Sequence, residues 1–159
     1  MTRPNFTLTM QENHKKIRAS IENSDNALVK LAGINVVEIE QNHVKLEMPL
    51  KNVNINHTGT AYAISMIMLM EITGTSLIRA TYGFDQYLPI IKKIDISFIK
   101  PTNKTLICEL KISEKEAKEK IAFIEDNNKG NYELPIILKD IENNEVAMAN
   151  FVFYLFKQT

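Results

Sequence analysis

Glu71 is the one acidic or basic side chain in a long apolar stretch that runs from Thr58 to Ile78. Burying an unpaired carboxylate costs several kcal/mol, so such a group needs a partner or a raised pKa. Perturbed carboxylates of this kind cluster at active sites. Such carboxylates also occur where helices pack together. In that case Thr75 or a backbone group would form a hydrogen bond with Glu71. The sequence alone leaves both interpretations open.

No other side chains in the sequence have the spacing of a known catalytic centre. His, Cys and Asp form no cluster with metal-ligand spacing, so we expect no metal and no cofactor. A Gly-x-Ser-x-Gly elbow, a phosphate-binding glycine loop and a dinucleotide fingerprint are also missing. Ser65 and Cys108 are interpreted as small packing residues, and His14 and His43 as exposed.

The spacing of apolar residues predicts the strands that must support Glu71. The expected order is helix, two strands, long helix, two strands, helix, two strands. This order favours an antiparallel sheet wrapped on the dominant apolar helix, an α+β layout. The strands are expected at Ile34–Glu40, His43–Leu50, Ile90–Lys100, Thr105–Ile112, Tyr132–Ile141 and Glu145–Phe156.

Three helices are expected, one before the first strand and two between pairs of strands. The long helix follows a polar loop and ends near Tyr82-Gly83. The last helix opens with a capping box at Ser113–Glu116 and closes at Gly130. The first lies between Lys15 and Leu31, with Gly33 as its stop signal. Its expected inward residues are Ile17, Ile21, Leu28 and Leu31.

Composition narrows the class of protein. The 159 residues predict a single domain over positions 1–159, with 19 basic and 19 acidic residues and a pI near 6.8. This balance does not indicate a nucleic-acid partner. The uncharged run from Thr58 to Met70 has the length of a core helix rather than a membrane span. A single cysteine and a polar start favour a cytoplasmic protein.

From Lys15 onward the chain resembles the hotdog fold, in which a curved antiparallel sheet wraps a long central helix. It is most similar to the acyl-CoA thioesterases related to phenylacetyl-CoA thioesterase. In that branch an asparagine precedes a His-Gly-Gly turn, and an Asp or Glu lies deeper in the helix. The residues that carry the resemblance are Asn56-His57-Thr58-Gly59-Thr60-Ala61-Tyr62-Ala63-Ile64 and Glu71.

When the family's acidic residue is aligned with Glu71, the family's asparagine aligns with Asn56. Tyr62 then stands where the family has histidine, and Ala63-Ile64 stand where it has two glycines. The run from Gly59 to Tyr62 matches the Gly-Thr-x-Phe/Tyr of other hotdog thioesterases.

The resemblance implies roles for these residues in thioester hydrolysis. Glu71 would act as general base or as nucleophile. Amides near Ala63 and Ile64 would bind the oxyanion, each with an effect of roughly 3–4 kcal/mol, and Asn56 would orient water. The expected substrate contacts are His57, Gly59, Thr60, Tyr62 and Thr75.

The resemblance also implies the substrate and the assembly. The substrate would be an acyl-CoA or acyl-carrier-protein thioester, with coenzyme A present as part of the substrate. The methionines Met66, Met68 and Met70 favour a medium-chain, long-chain or aromatic acyl group. The protein would be a homodimer or a dimer of dimers, with Glu71 of one chain facing Ala63 of the other.

Two other functions remain open on the same fold. In a non-catalytic acyl-binding or lipid-binding domain, Glu71 would be a protonated core residue. A hydratase or dehydratase would need a histidine paired with an acid, and His57 is the candidate.

Overall fold

The computed structural model describes residues 8–159, which form four α-helices and six strands. The helices are α1 (Met10–Glu22), α2 (Ala27–Ala32), α3 (Ala63–Tyr82) and α4 (Glu114–Asn127), and a short 3-10 turn covers Asn52–Asn54. The strands are β1 (Asn35–Glu40), β2 (His43–Met48), β3 (Tyr87–Phe98), β4 (Leu106–Lys111), β5 (Lys129–Asp140) and β6 (Glu145–Lys157).

The strands form one antiparallel sheet in the order β1-β2-β4-β5-β6-β3. The sheet curves around α3, which contacts β2, β3, β4, β5 and β6. The long helix is therefore the centre of the core, and the α+β prediction is confirmed. The final strand, β6, lies inside the sheet between β5 and β3.

One side of α3 is buried against the sheet. Leu69, Met70 and Leu77 have no exposed surface. Gly74 allows close approach, because a Cβ at this position would lie 2.7 Å from Cζ of Phe153. By length and a mean hydropathy of 1.3, α3 resembles a membrane span, but 56% of that window is buried inside the protein. The helix has the burial of a core element.

The two edges of the sheet differ in how they are covered. Along β1 lies α1, whose Arg18 Nη1 donates to the Val36 carbonyl at 3.3 Å. At the opposite edge β3 pairs only with β6, so its other side has no strand partner within residues 8–159. Leu88 and Ile90 are exposed on it. A long apolar edge strand of this kind is an association surface.

The prediction of one helix between Lys15 and Leu31 is wrong. The chain forms α1 and α2 with a break at Ser24-Asp25-Asn26, and the Asn26 side chain caps α2 by accepting from the Leu28 N–H at 3.0 Å. As predicted, Gly33 ends α2, in the left-handed conformation. Of the expected inward residues, Ile17 and Ile21 are buried, whereas Leu28 and Leu31 are exposed.

Two smaller predictions are also wrong. Helix α4 ends at Asn127 and is followed by Asn128 in the left-handed conformation, whereas Gly130 is a buried residue of β5. His43 was expected to be exposed, but only 9% of its surface is accessible. Two carboxylates enclose this histidine.

Candidate functional site

Glu71 lies on the side of α3 that faces away from the sheet. We call this side the open stripe; its residues are half-buried or exposed. Along it Thr75, one turn after Glu71, donates from Oγ1 to Glu71 Oε1 at 3.0 Å. The open stripe consists of Ile64, Ile67, Met68, Glu71, Ile72, Thr75 and Arg79.

Burial raises the pKa of Glu71 above the ordinary glutamate value. The hydrogen bond from Thr75 and the charge of Arg79 act in the opposite direction without cancelling the effect of burial. The carboxylate is neither sealed in the core nor free in solvent. It has the environment expected of a tuned acid or base.

Arg79 is the second charge on the open stripe, and the sequence analysis assigned it no role. Its Nε is buried with no hydrogen-bond partner in the described part of the chain. The guanidinium carbon lies 4.2 Å from the centre of the Phe84 ring. Arg79 follows Glu71 by eight residues, and this helical spacing would have placed both charges on one face.

The N-terminus of α3 has no side-chain cap. Tyr62 occupies the N-cap position, and its side chain makes no capping hydrogen bond. The first intrahelical bond runs from the Met66 N–H to the Tyr62 carbonyl at 3.1 Å. The amides of Ala63, Ile64 and Ser65 are therefore left without helical partners. Partial positive charge gathers at such a helix start, as the predicted oxyanion site requires.

The side chain of Asn56 organises the loop before α3. Its Oδ1 accepts from the Thr58 N–H at 3.0 Å and from the Thr60 N–H at 3.1 Å, and its Nδ2 donates to Thr60 Oγ1 at 3.0 Å. Gly59 completes the turn at φ +78°, a conformation that favours glycine. The predicted water-orienting role would fall to the remaining N–H of Asn56.

The predicted substrate contacts lie in three places. Thr60 is bonded to Asn56, Thr75 is bonded to Glu71, and the Tyr62 side chain is 45% exposed at the helix start. His57 is exposed in the loop, and no hydrogen bond joins it to Glu71. The structure thus brings Thr75 to Glu71 and does not pair His57 with that acid.

Glu71 and the helix start are too far apart to share one substrate within a single chain. Ile64 precedes Glu71 by seven residues, about 10 Å along the helix axis. A base and an oxyanion donor must both lie roughly 3 Å from the reacting group. One chain therefore holds the two halves of the predicted site separately.

The family called "Domain of unknown function (DUF4442)" matches residues 26–155. The chain belongs to this family. The match covers α3, strands β1 to β5 and most of β6. No curated protein matches the sequence.

Solved structures show the fold of this DUF4442 protein. A Pseudomonas aeruginosa protein of unknown function, described as a probable thioesterase, is 23% identical, covers 96% of this chain and 98% of its own, and has a TM-score of 0.82. A Haemophilus influenzae thioesterase is 12% identical, with coverage of 95% and 92% and a TM-score of 0.67. The hotdog resemblance is confirmed at the level of the fold.

A third neighbour is a Streptococcus mutans protein bound to acetyl-CoA. It is 14% identical, covers 80% of the DUF4442 chain and 92% of its own, and has a TM-score of 0.60.

Proposed function

We propose that this DUF4442 protein is a thioesterase that hydrolyses acyl-CoA or acyl-carrier-protein thioesters. The observation that carries the proposal is Glu71, a half-buried carboxylate of raised pKa on the open stripe of a helix whose first amides are uncapped. Base and oxyanion donors are the two groups that thioester hydrolysis requires. The thioesterase neighbours support the same reaction class.

In the proposed reaction, Glu71 accepts a proton from water as the water oxygen attacks the thioester carbonyl. The amides of Ala63 and Ile64 bind the resulting oxyanion. The carbon–sulfur bond then breaks, and the thiolate takes up the proton, giving a carboxylic acid and a free thiol. Direct attack by Glu71 would instead form a mixed anhydride, which hydroxylamine would trap.

The site would be completed by a second copy of the chain. Because Glu71 and Ile64 are about 10 Å apart along α3, two antiparallel copies would set each Glu71 against the partner's helix start. The free edge of β3 supports such a homodimer, since edge pairing would also cover Leu88 and Ile90. A dimer of dimers would retain the same unit.

The apolar part of the open stripe supports an apolar acyl group. Ile67, Met68 and Ile72 surround Glu71 and are only partly covered by the core. Their side chains would contact a medium-chain, long-chain or aromatic acyl group. We also propose that the reaction uses no metal or cofactor and takes place in the cytoplasm.

The direct test is an assay of acyl-CoA and acyl-carrier-protein thioesters of graded chain length. Hydrolysis is measured by the free thiol that is released. The proposal expects turnover that rises with apolar chain length, and loss of turnover in Glu71→Gln. Full hydrolysis by Glu71→Gln would exclude Glu71 as base or nucleophile. If no thioester in the panel is hydrolysed, the proposed thioesterase function is wrong.

A second candidate, a non-catalytic acyl-binding domain, is supported by the raised pKa of Glu71. A protonated Glu71 would donate a hydrogen bond to an acyl carbonyl without attacking it. The same panel separates the two functions, because this candidate expects saturable binding with no thiol release.

A further inference from the structure

A cluster of ionisable side chains lies on the outer face of the sheet, away from the open stripe. His43, at the start of β2, pairs with Lys111 on β4 and with Glu40 on β1 in the strand register. The side chain is 11% exposed, and both ring nitrogens contact carboxylates. Nδ1 lies 3.2 Å from Glu38 Oε1, and Nε2 lies 2.8 Å from Glu109 Oε1.

The two nitrogens of His43 have different surroundings. Nε2 makes the shorter contact, to Glu109, and this carboxylate is further compensated by Lys45 at 3.7 Å and Lys111 at 3.5 Å. A carboxylate that accepts from Nε2–H fixes the tautomer whose Nδ1 lone pair is free. Metal-bound histidines have this arrangement, in which a second carboxylate orients the ring.

The carboxylates of Glu38 and Glu40 both lie near the His43 ring. One potential ligand atom each from Glu38, Glu40 and His43 lies within 4.8 Å of the others. Neither glutamate forms a salt bridge to a lysine or arginine among residues 8–159. Tetrahedral zinc ligands at the usual bond lengths are about 3.3 Å apart, close to the 3.2 Å between Nδ1 and Glu38 Oε1.

We infer that Glu38, Glu40 and His43 Nδ1 form a binding site for one divalent transition-metal ion, with Glu109 as the residue that orients the imidazole. One imidazole nitrogen and two carboxylate oxygens suit zinc better than magnesium or calcium, which prefer oxygen ligands alone. Positions left by the three side chains would be filled by water. The ion would connect β1 to β2 through these side chains. Its binding is independent of the proposed thioesterase reaction.

The sequence analysis missed this site for a physical reason. The ligands are close in sequence, but they converge only because the turn at Gln41-Asn42 brings Glu40 opposite His43. His43 was expected to be exposed, and its orienting partner Glu109 lies 66 residues away. The signal in the sequence is a hairpin in which Glu40 pairs with His43, and Glu38 lies two residues before Glu40 on the same face of β1.

The test is calorimetric titration of the full chain with Zn²⁺ at pH 7.5. We expect one ion per chain, with affinity at least about tenfold weaker in Glu38→Gln and in Glu40→Gln. Glu109→Gln should weaken binding by about 10–100-fold, the usual effect of losing an orienting partner. The matched control is Glu145→Gln, an exposed carboxylate at the start of β6, which should bind as the unaltered chain does.

Two further measurements protect the test from folding artefacts. Because zinc binds the folded chain, it should raise the melting temperature of the unaltered chain and of the control, and not that of Glu40→Gln. Co²⁺ should give visible absorption bands that His43→Gln abolishes. The inference is overturned if Zn²⁺ does not bind, or if binding is unchanged in all of Glu38→Gln, Glu40→Gln and His43→Gln.

Discussion

At the scale of single residues, Glu71 is unfavourable for folding. Its pKa is raised in the folded state, so near neutral pH the folded chain holds this proton more tightly than the unfolded chain does. Stability therefore falls as pH rises from the ordinary glutamate pKa through the raised value. A carboxylate retained at such a position is typical of an active site.

The first prediction concerns Glu71→Gln, which keeps the acceptor for Thr75 and removes the charge. Thioester hydrolysis should fall by at least about 100-fold, the lower range for loss of a general base. The free energy of unfolding should rise near neutral pH, and this gain should disappear below the ordinary glutamate pKa. Urea unfolding at several pH values measures it, with Glu145→Gln as control. A variant that is inactive and also less stable at neutral pH would contradict the account.

The second prediction concerns Arg79, whose charge holds down the pKa of Glu71 against the effect of burial. Arg79→Met should move the acid limb of the kcat/KM profile to higher pH, because the carboxylate would lose a nearby cation. Arg79→Lys should move it less. An acid limb at the same pH in all three proteins would show that Arg79 does not act on Glu71.

At the scale of elements, the uncapped start of α3 is the feature to explain. The other long helices are capped, α1 by Thr9 and α4 by Ser113. An exposed Tyr62 at the N-cap gives up the stabilisation that a capping side chain provides, about 1 kcal/mol. The free amides that result are the proposed oxyanion donors.

The third prediction adds the missing cap. Tyr62→Asp should raise the free energy of unfolding by roughly 1 kcal/mol, while lowering kcat because its carboxylate occupies the amides and repels the oxyanion. The matched control is Ser113→Ala, which removes the cap of α4. It should destabilise the fold by a similar amount and leave kcat unchanged. Full activity in Tyr62→Asp would show that the amides at the start of α3 do not bind the oxyanion.

Local sequence signals predicted the helices and strands well where the residues' conformational propensities agree with the structure that they form. The end of α3 at Tyr82, the two strands on either side of Gln41-Asn42 and the Ser113 cap were all predicted from local sequence patterns. The break between α1 and α2 was missed because apolar spacing continues across Ser24-Asp25-Asn26, although Leu28 and Leu31 then face solvent. The end of α4 was misplaced because Asn128 takes the left-handed position that glycine usually fills.

At the scale of the whole molecule, the sequence suggests which residues could share a catalytic site, but it does not show how two chains would bring them together. Glu71 and Thr75 share a helix face, so their contact followed from spacing. The separation of Glu71 from Ile64 also follows from helix geometry, and for this reason the proposed reaction requires a second chain. The sequence of one chain does not determine how a second copy would be positioned against it.

The fourth prediction tests the assembly at the free edge of β3. Ile90 is 49% exposed there, and a lysine at an edge position opposes strand pairing. Ile90→Lys should shift the protein from dimer to monomer in sedimentation and remove thioester hydrolysis with it. Leu28→Lys, a substitution of an exposed leucine on α2, should change neither. Full activity in a monomeric Ile90→Lys protein would contradict a shared site.

The most direct measurement mixes two inactive proteins, Glu71→Gln and Tyr62→Asp, and lets their subunits exchange. Half of the dimers would be mixed, and each would hold one intact site, with Glu71 from one chain and free amides from the other. In a two-fold dimer with shared sites, activity should return to about a quarter of the unaltered level. A mixture that stays inactive after exchange has been verified would contradict a catalytic site built from Glu71 of one chain and the helix start of its partner.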